Sequence, residues 1–261
     1  MKIVILQHFF FVFPLGTDAS SFIIIAEHIK GGQHAERQPC FCVERMTTVE
    51  FIERHKIITI CRKVYGDPLL KLAEALYAGG LKLMEMTFDQ QDPACLDKTA
   101  EAIRAVKERV GNDMLIGAGT VLTPSQVIAA KQAGAKYIIS PNTDPHVIEV
   151  TKHSGLASIP GAMTPSEIIS AHHNGADIVK LFPATYLGFD YIKDILGPIS
   201  NVKLCATGGV NEENAPKYLE MGFSALGIGG RLCDKKCIAA GDYNTITARA
   251  KIFTALINEG K

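Results

Sequence analysis

From Met46 onward, short runs of consecutive apolar residues alternate with longer stretches in which apolar positions recur at helical spacing. A buried strand followed by an amphipathic helix produces this pattern, and its repetition predicts an α/β chain. The apolar runs place strands at 57–60, 82–86, 114–117, 137–140, 157–159, 178–181, 203–207 and 225–228. Helices are predicted between them. "DPLLKLAEALYAGG" carries an apolar stripe and closes on glycine, the residue best suited to a helix C-terminus. "TPSQVIAAKQAG" and "TPSEIISAHHNG" each open with a threonine cap, a proline in the first turn and a glutamine or glutamate at the third helical position, then also end on glycine.

The helix-ending glycines align the units more finely. "GLKLMEM", "GAKYIIS", "GADIVKL" and "GFSALGI" begin at Gly80, Gly134, Gly175 and Gly222, ahead of the second, fourth, sixth and eighth predicted strands. This internal repeat predicts a single (β/α)8 TIM barrel over residues 46–261. Five residues beyond each glycine lie Glu85, Ile139, Lys180 and Gly227. Alternate strands of such a barrel share an interior layer, so Lys180 is expected to point inward and face Glu85. The isoleucine and the glycine would leave an apolar wall and some room.

Lys180 is the polar intrusion in the apolar run "DIVKLFPA". Burying an ammonium without a partner costs several kcal/mol or more, unless the group gives up its proton. A lysine drawn down from its usual pKa of about 10.4 is an amine nucleophile, and the protonated imine it forms with a ketone is an electron sink. Glu85 would then move protons around that imine. Burial raises its pKa and the lysine lowers it, and sequence does not decide which wins. The same pair also reads as a structural ion pair, and both readings stand on spacing alone.

The carboxyl ends of the strands, where active sites of this fold gather, hold Arg62, Thr87, Thr120, Pro141, Gly161, Lys180 with Phe182, "TGGV" at Thr207–Val210 and "GIGGR" at Gly227–Arg231. The two glycine-rich turns expose backbone N–H groups to a phosphate, or are ordinary tight turns. Thr120 in "GAGTV" reads as a turn residue or as a ligand contact. His172 and His173 fall on the last turn of a helix as surface residues, with no third ligand at useful spacing. No metal is therefore predicted, and no cofactor.

Composition narrows the classes. The 27 basic and 27 acidic residues of this 261-residue chain cancel, and no polybasic run occurs. Neither nucleic acid nor a membrane surface is an expected partner. Seven cysteines without CxxC pairs read as reduced thiols of a cytoplasmic protein. Residues 1–45 depart from the repeat. "MKIVILQHFFFVFPLG" is too short an apolar stretch to span a bilayer, and "HIKGGQHAERQPCFCVER" has no clear period. They read as an extension with little fold of its own, translation beginning at Met46. A cleaved secretory signal is the alternative, and it fits the free cysteines poorly.

In order, "LMEMTF", "GAGTVLTPSQ", "AGAKYIISPN", "IPGAMTPSE", "VKLFPA", "ATGGV" and "GIGG" resemble the 2-keto-3-deoxy-6-phosphogluconate/4-hydroxy-2-oxoglutarate aldolase family, from about Ile57 to Gly230 and through the final helix. The resemblance implies a homotrimeric, metal-free class I aldolase acting on a small keto acid. Lys180 matches the family's imine-forming lysine and Glu85 its general acid/base. Thr120 matches a threonine beside the pyruvate moiety, Pro141, Gly161 and Phe182 match pocket positions, and Arg62 matches an arginine after the first strand. Thr207, Gly208, Gly209, Gly229 and Gly230 match the phosphate end. Two positions depart. Asp89 stands where many members have an arginine that grips the substrate carboxylate, and an acid there is expected to repel that anion. Arg231 stands where serine is frequent. A phosphate-binding isomerase or epimerase, with Glu85 as base and Lys180 as electrostatic clamp, and a non-catalytic keto-acid-binding protein remain as alternatives.

Overall fold

The computed structural model describes residues 4–6, 9–11 and 46–259. Contacts divide the chain into two units, Met1–Glu44 and Arg45–Lys261. In the first, β1 (Val4–Leu6) and β2 (Phe9–Phe11) pair antiparallel, Ile5 opposite Phe10. The rest of residues 1–45 lies outside the described residues, and with it the expectations about their order and about translation from Met46.

In the second unit the hydrophobic runs form parallel strands β3 (Ile57–Cys61), β4 (Leu83–Thr87), β5 (Leu115–Gly119), β6 (Tyr137–Ile139), β7 (Ala157–Ile159), β8 (Gly161–Ala162), β9 (Val179–Leu181), β10 (Leu204–Thr207) and β11 (Ala225–Ile228). Their order is β7-β6-β5-β4-β3-β11-β10-β9-β8. The two ends of that series are one stretch of chain. β7 ladders to β6 and β8 to β9, while Pro160 between them has no N–H to donate. The barrel therefore closes through a fifth strand broken in two, where one uninterrupted strand at 157–159 is expected from sequence.

Helix α1 (Thr48–His55) precedes the barrel, and α2 (Gly66–Ala78), α3 (Cys95–Val110), α4 (Pro124–Ala133), α5 (Pro145–His153), α6 (Pro165–His173), α7 (Ala184–Leu196) and α8 (Ala215–Glu220) follow successive strands. After β11 come α9 (Lys235–Ala240) and α10 (Tyr243–Glu259). Among the described residues no helix is long and apolar enough to cross a membrane. "TPSE" forms a full capping box between Thr164 and Glu167. "TPSQ" does not: Thr123 caps α4, but the side chain of Gln126 accepts from Leu122 N–H and donates to Gln90.

The glycines that align the repeat share one backbone state. Gly80, Gly134, Gly175 and Gly222 have φ of 91°, 100°, 97° and 87°, the left-handed region that a Cβ disfavours. Each sets the same exit from helix to strand, so the residue five positions on arrives with the same parity. Inward-facing Ile58, Leu83, Tyr137, Ile139, Ile159 and Ile178 form an apolar cluster inside the barrel, joined by Ile52 of α1. A larger core fills the space between strands and surrounding helices.

Candidate active site

Lys180 and Glu85 are 3% and 1% exposed, on β9 and β4. Burial draws the Lys180 pKa down, against the opposing pull of Glu85 and with a smaller push from Arg62. Burial raises Glu85 to about 7, although Lys180 and Arg62 both work to lower it. Desolvation thus wins the contest that sequence leaves open. No N···O contact of 4.0 Å or less joins the pair. Glu85 Oε2 is buried without a hydrogen-bond partner, and the Lys180 ammonium nitrogen sits over the Phe182 ring, 4.6 Å from its centroid. Two ionisable groups are held within electrostatic reach with hydrogen-bonding capacity unspent.

The room for this arrangement comes from an unexpected place. At Gly227 a Cβ would lie 2.5 Å from Thr207 Oγ1 and 3.3 Å from Ile60 Cδ1, so the space predicted there is already taken. The carboxylate sits instead against Gly119 on the neighbouring β5, where a Cβ would come within 2.4 Å of Glu85 Oε1. Likewise Gly117 makes way for the Tyr137 ring, 2.2 Å from the Cβ it lacks. Sequence reading passed over both; their alternation in "GAG" on an inward-facing strand is the trace they leave.

Two cavities open at the carboxyl ends of the strands. The first, of about 300 Å3, is lined by Arg62, Thr87, Thr120 and the loop from Phe88 to Gln91, with Lys63. The second, of about 380 Å3, is lined by Arg62, Phe182, Thr207, Gly208, Gly209, Gly229, Gly230 and Arg231 among others. Arg62 belongs to both. Lys180 and Glu85 line neither; Lys180 reaches the second through Phe182, and Glu85 lies against the residue preceding Thr120. Pro141 and Gly161 also line neither. They meet each other, since a Cβ on Gly161 would stand 2.3 Å from the Pro141 carbonyl oxygen. Gly208 and Gly209 are consecutively left-handed, at φ of 96° and 78°, which curls their turn around the cavity wall. Among the described residues no three His, Cys, Asp or Glu side chains converge to hold a metal ion.

The match to known proteins follows the barrel. The family described as "Aldolase: KDPG and KHG aldolase" matches residues 49–249. The chain belongs to the KDPG and KHG aldolase family. It is 35% identical over 204 residues to the 2-dehydro-3-deoxy-phosphogluconate aldolase of Treponema pallidum (strain Nichols), covering 78% of this chain and 94% of that one. Against the KHG/KDPG aldolase of Escherichia coli (strain K12) it is 36% identical over 182 residues, covering 69% and 82%. A crystal structure of the KDPG aldolase from Legionella pneumophila, with pyruvate captured at low pH as a covalent carbinolamine intermediate, superposes with a TM-score of 0.69 at 30% identity, over 78% of this chain and 96% of that one.

Both departures from the aldolase pattern are paired. Asp89 Oδ2 lies 2.9 Å from the Lys63 ammonium, which holds its carboxyl below the usual range. Arg231 donates from Nε and Nη2 to the two carboxylate oxygens of Glu212, each at 2.9 Å. Lys63, Gln90 and Gln126 escape a sequence reading because their partners are distant in the chain: Gln126 donates to Gln90, which donates to the Thr120 carbonyl oxygen at 2.7 Å.

Proposed function

We propose that this chain is a class I aldolase that reversibly cleaves a 2-keto-3-deoxy-6-phospho-sugar acid, or 4-hydroxy-2-oxoglutarate, to pyruvate and an aldehyde, glyceraldehyde 3-phosphate or glyoxylate. The observation that carries this reading is a buried amine with a lowered pKa that makes no ion pair. A structural Lys–Glu pair is held together by direct contact, because two charges out of water recover their desolvation only that way. A nucleophile must instead keep its lone pair available.

In the proposed cycle neutral Lys180 attacks the C2 ketone, and the protonated Glu85 carboxyl gives its proton to the carbinolamine hydroxyl, which leaves as water; the product is a protonated imine beside a Glu85 carboxylate. Glu85, at about 7, is divided between acid and base near neutral pH. As base it accepts the proton of the C4 hydroxyl while the C3–C4 bond breaks and its electron pair moves into the imine as an enamine. The aldehyde leaves. As acid it returns the proton to C3, and water hydrolyses the pyruvate imine to regenerate the amine. Thr120 and Arg62 are assigned to the carboxylate, Phe182 to the cavity wall, Gly161, opposite Lys180 in the sheet, and Pro141 against it to the packing beside the amine, and the turns at Thr207–Gly209 and Gly229–Gly230 to the phosphate. A homotrimer in the cytoplasm is the proposed setting, supported by family membership and by the thiols left free among the described residues.

Borohydride reduction in the presence of pyruvate, read by intact mass, tests the reading. The wild-type protein should gain one reduced pyruvate adduct, and Lys180→Ala none. An adduct retained by Lys180→Ala would remove the assignment. Isomerised substrate with no adduct on the wild type would favour the isomerase alternative.

A further inference from the structure

Three non-glycine residues among those described adopt left-handed backbone: Lys56, Lys63 and Thr120, at φ of 54°, 56° and 56°. Lys56 closes α1 as its C-cap. The other two follow different strands, β3 and β5, yet line the same 300 Å3 cavity. A side chain at such a position brings Cβ too close to the following carbonyl, and glycine would relieve the conflict. Strain of this kind persists where the side chain itself is needed, and it clusters at functional sites.

Resting on the aldolase reading above, we infer that Lys63, tethered by Asp89, is a substrate-binding residue that supplies this cavity's second cation for the carboxylate of the keto acid. The Lys63 side chain is 53% exposed and the Asp89 side chain 19%, so the acid is the covered anchor and the amine the accessible end. Asp89 Oδ1 is itself fixed by accepting from Gln91 N–H at 3.3 Å. An ammonium has three N–H donors, and one given to Asp89 leaves two for a ligand. With Arg62 on the same wall, two cations face one anion, and the cavity retains a positive balance that suits a carboxylate. Asp89 therefore acts by orienting a lysine, and the repulsion expected from its charge in isolation is cancelled by the ion pair.

The test is the pyruvate concentration that gives half-maximal borohydride-trapped adduct, read by intact mass. Lys63→Met should raise it roughly tenfold, the worth of a charged hydrogen bond, with the maximum adduct unchanged. Lys63→Gly should raise it equally while increasing resistance to urea, because glycine accepts the backbone state; this separates lost binding from misfolding. Asp89→Ala should raise it several-fold. Unchanged half-saturation in Lys63→Met and Lys63→Gly would reduce the pair to a surface ion pair and overturn the inference. So would a lower half-saturation in Asp89→Ala, which would mean that Asp89 repels the substrate. Absence of any adduct on the wild type would instead overturn the aldolase reading beneath it.

Discussion

The floor of the barrel and its mouth are built by the same strands, two residues apart. Leu83 and Ile178 belong to the apolar interior cluster, while Glu85 and Lys180, the next inward positions on those chain segments, are the buried charges. Ala225 and Gly227 repeat the step on β11. Below, interior side chains pack against Ile52 in an uncharged cluster whose buried polar group without a partner is the Tyr137 hydroxyl. Above, carboxylate and amine are stripped of water without the contact that would compensate them. The contrast separates two uses of burial. On the floor it stabilises the fold, and at the mouth it tunes two protonation states at a cost in stability.

The largest effect should come from breaking the floor alone. Ile178→Ala leaves a cavity in a fully buried cluster and should destabilise the protein by about 2–5 kcal/mol in urea unfolding. The adduct formed per folded molecule should stay near the wild-type value, since the change lies two positions below the amine. A loss of trapping in proportion to stability would show that the two layers are not separable.

Glu85→Gln should give a smaller stability effect with a defined dependence on pH. The folded-state pKa of Glu85, about 7, lies above its unfolded value of 4.5, so between those values the folded state binds more protons. Its contribution is fully present below pH 4.5 and is lost as pH rises through 7. Wild type should weaken relative to Glu85→Gln across that window, by on the order of 3 kcal/mol at most. Urea unfolding at both ends of the window measures the difference, and an opposite slope would mean that the carboxylate is stabilised as an anion. Turnover should fall by roughly a hundredfold or more in the same variant if Glu85 transfers protons.

What sequence reveals here follows from the range of each interaction. The strand and helix periods are local, and a glycine ending a helix marks the same backbone turn each time, so the barrel and the inward parity of Glu85 and Lys180 are legible without coordinates. Pro160 shows in the sequence as well, but its division of the fifth strand into β7 and β8 depends on which neighbours each half pairs with. The seat of the Glu85 carboxylate depends on a missing Cβ at Gly119, on another strand. The Lys63–Asp89 contact joins two loops, and the left-handed state of Lys63 has no signature in its residue type. Gln126 sits where a capping box is expected, and its side chain is drawn away by Gln90. Each of these is a through-space event that a one-dimensional pattern does not carry.

The smallest stability effect should belong to the substitution with the largest chemical one. Lys180→Met keeps an unbranched chain of similar length among Phe182 and the apolar interior, and it removes the ammonium whose desolvation lowers the lysine pKa. A lysine depressed in the folded state costs stability below its folded pKa and recovers it as pH rises toward the unfolded value of 10.5. Replacing a buried charge by a well-packed apolar side chain is often neutral or stabilising, so this variant should lie within about 1 kcal/mol of wild type at neutral pH, or above it. Its advantage should shrink as pH rises, while its adduct is absent throughout. Removal of the cation also raises Glu85 further, which keeps that acid protonated and neutral beside the new methionine. If Lys180→Met were instead as damaging as Ile178→Ala, the amine would be part of the packing, and the distinction between floor and mouth would fail at its central residue.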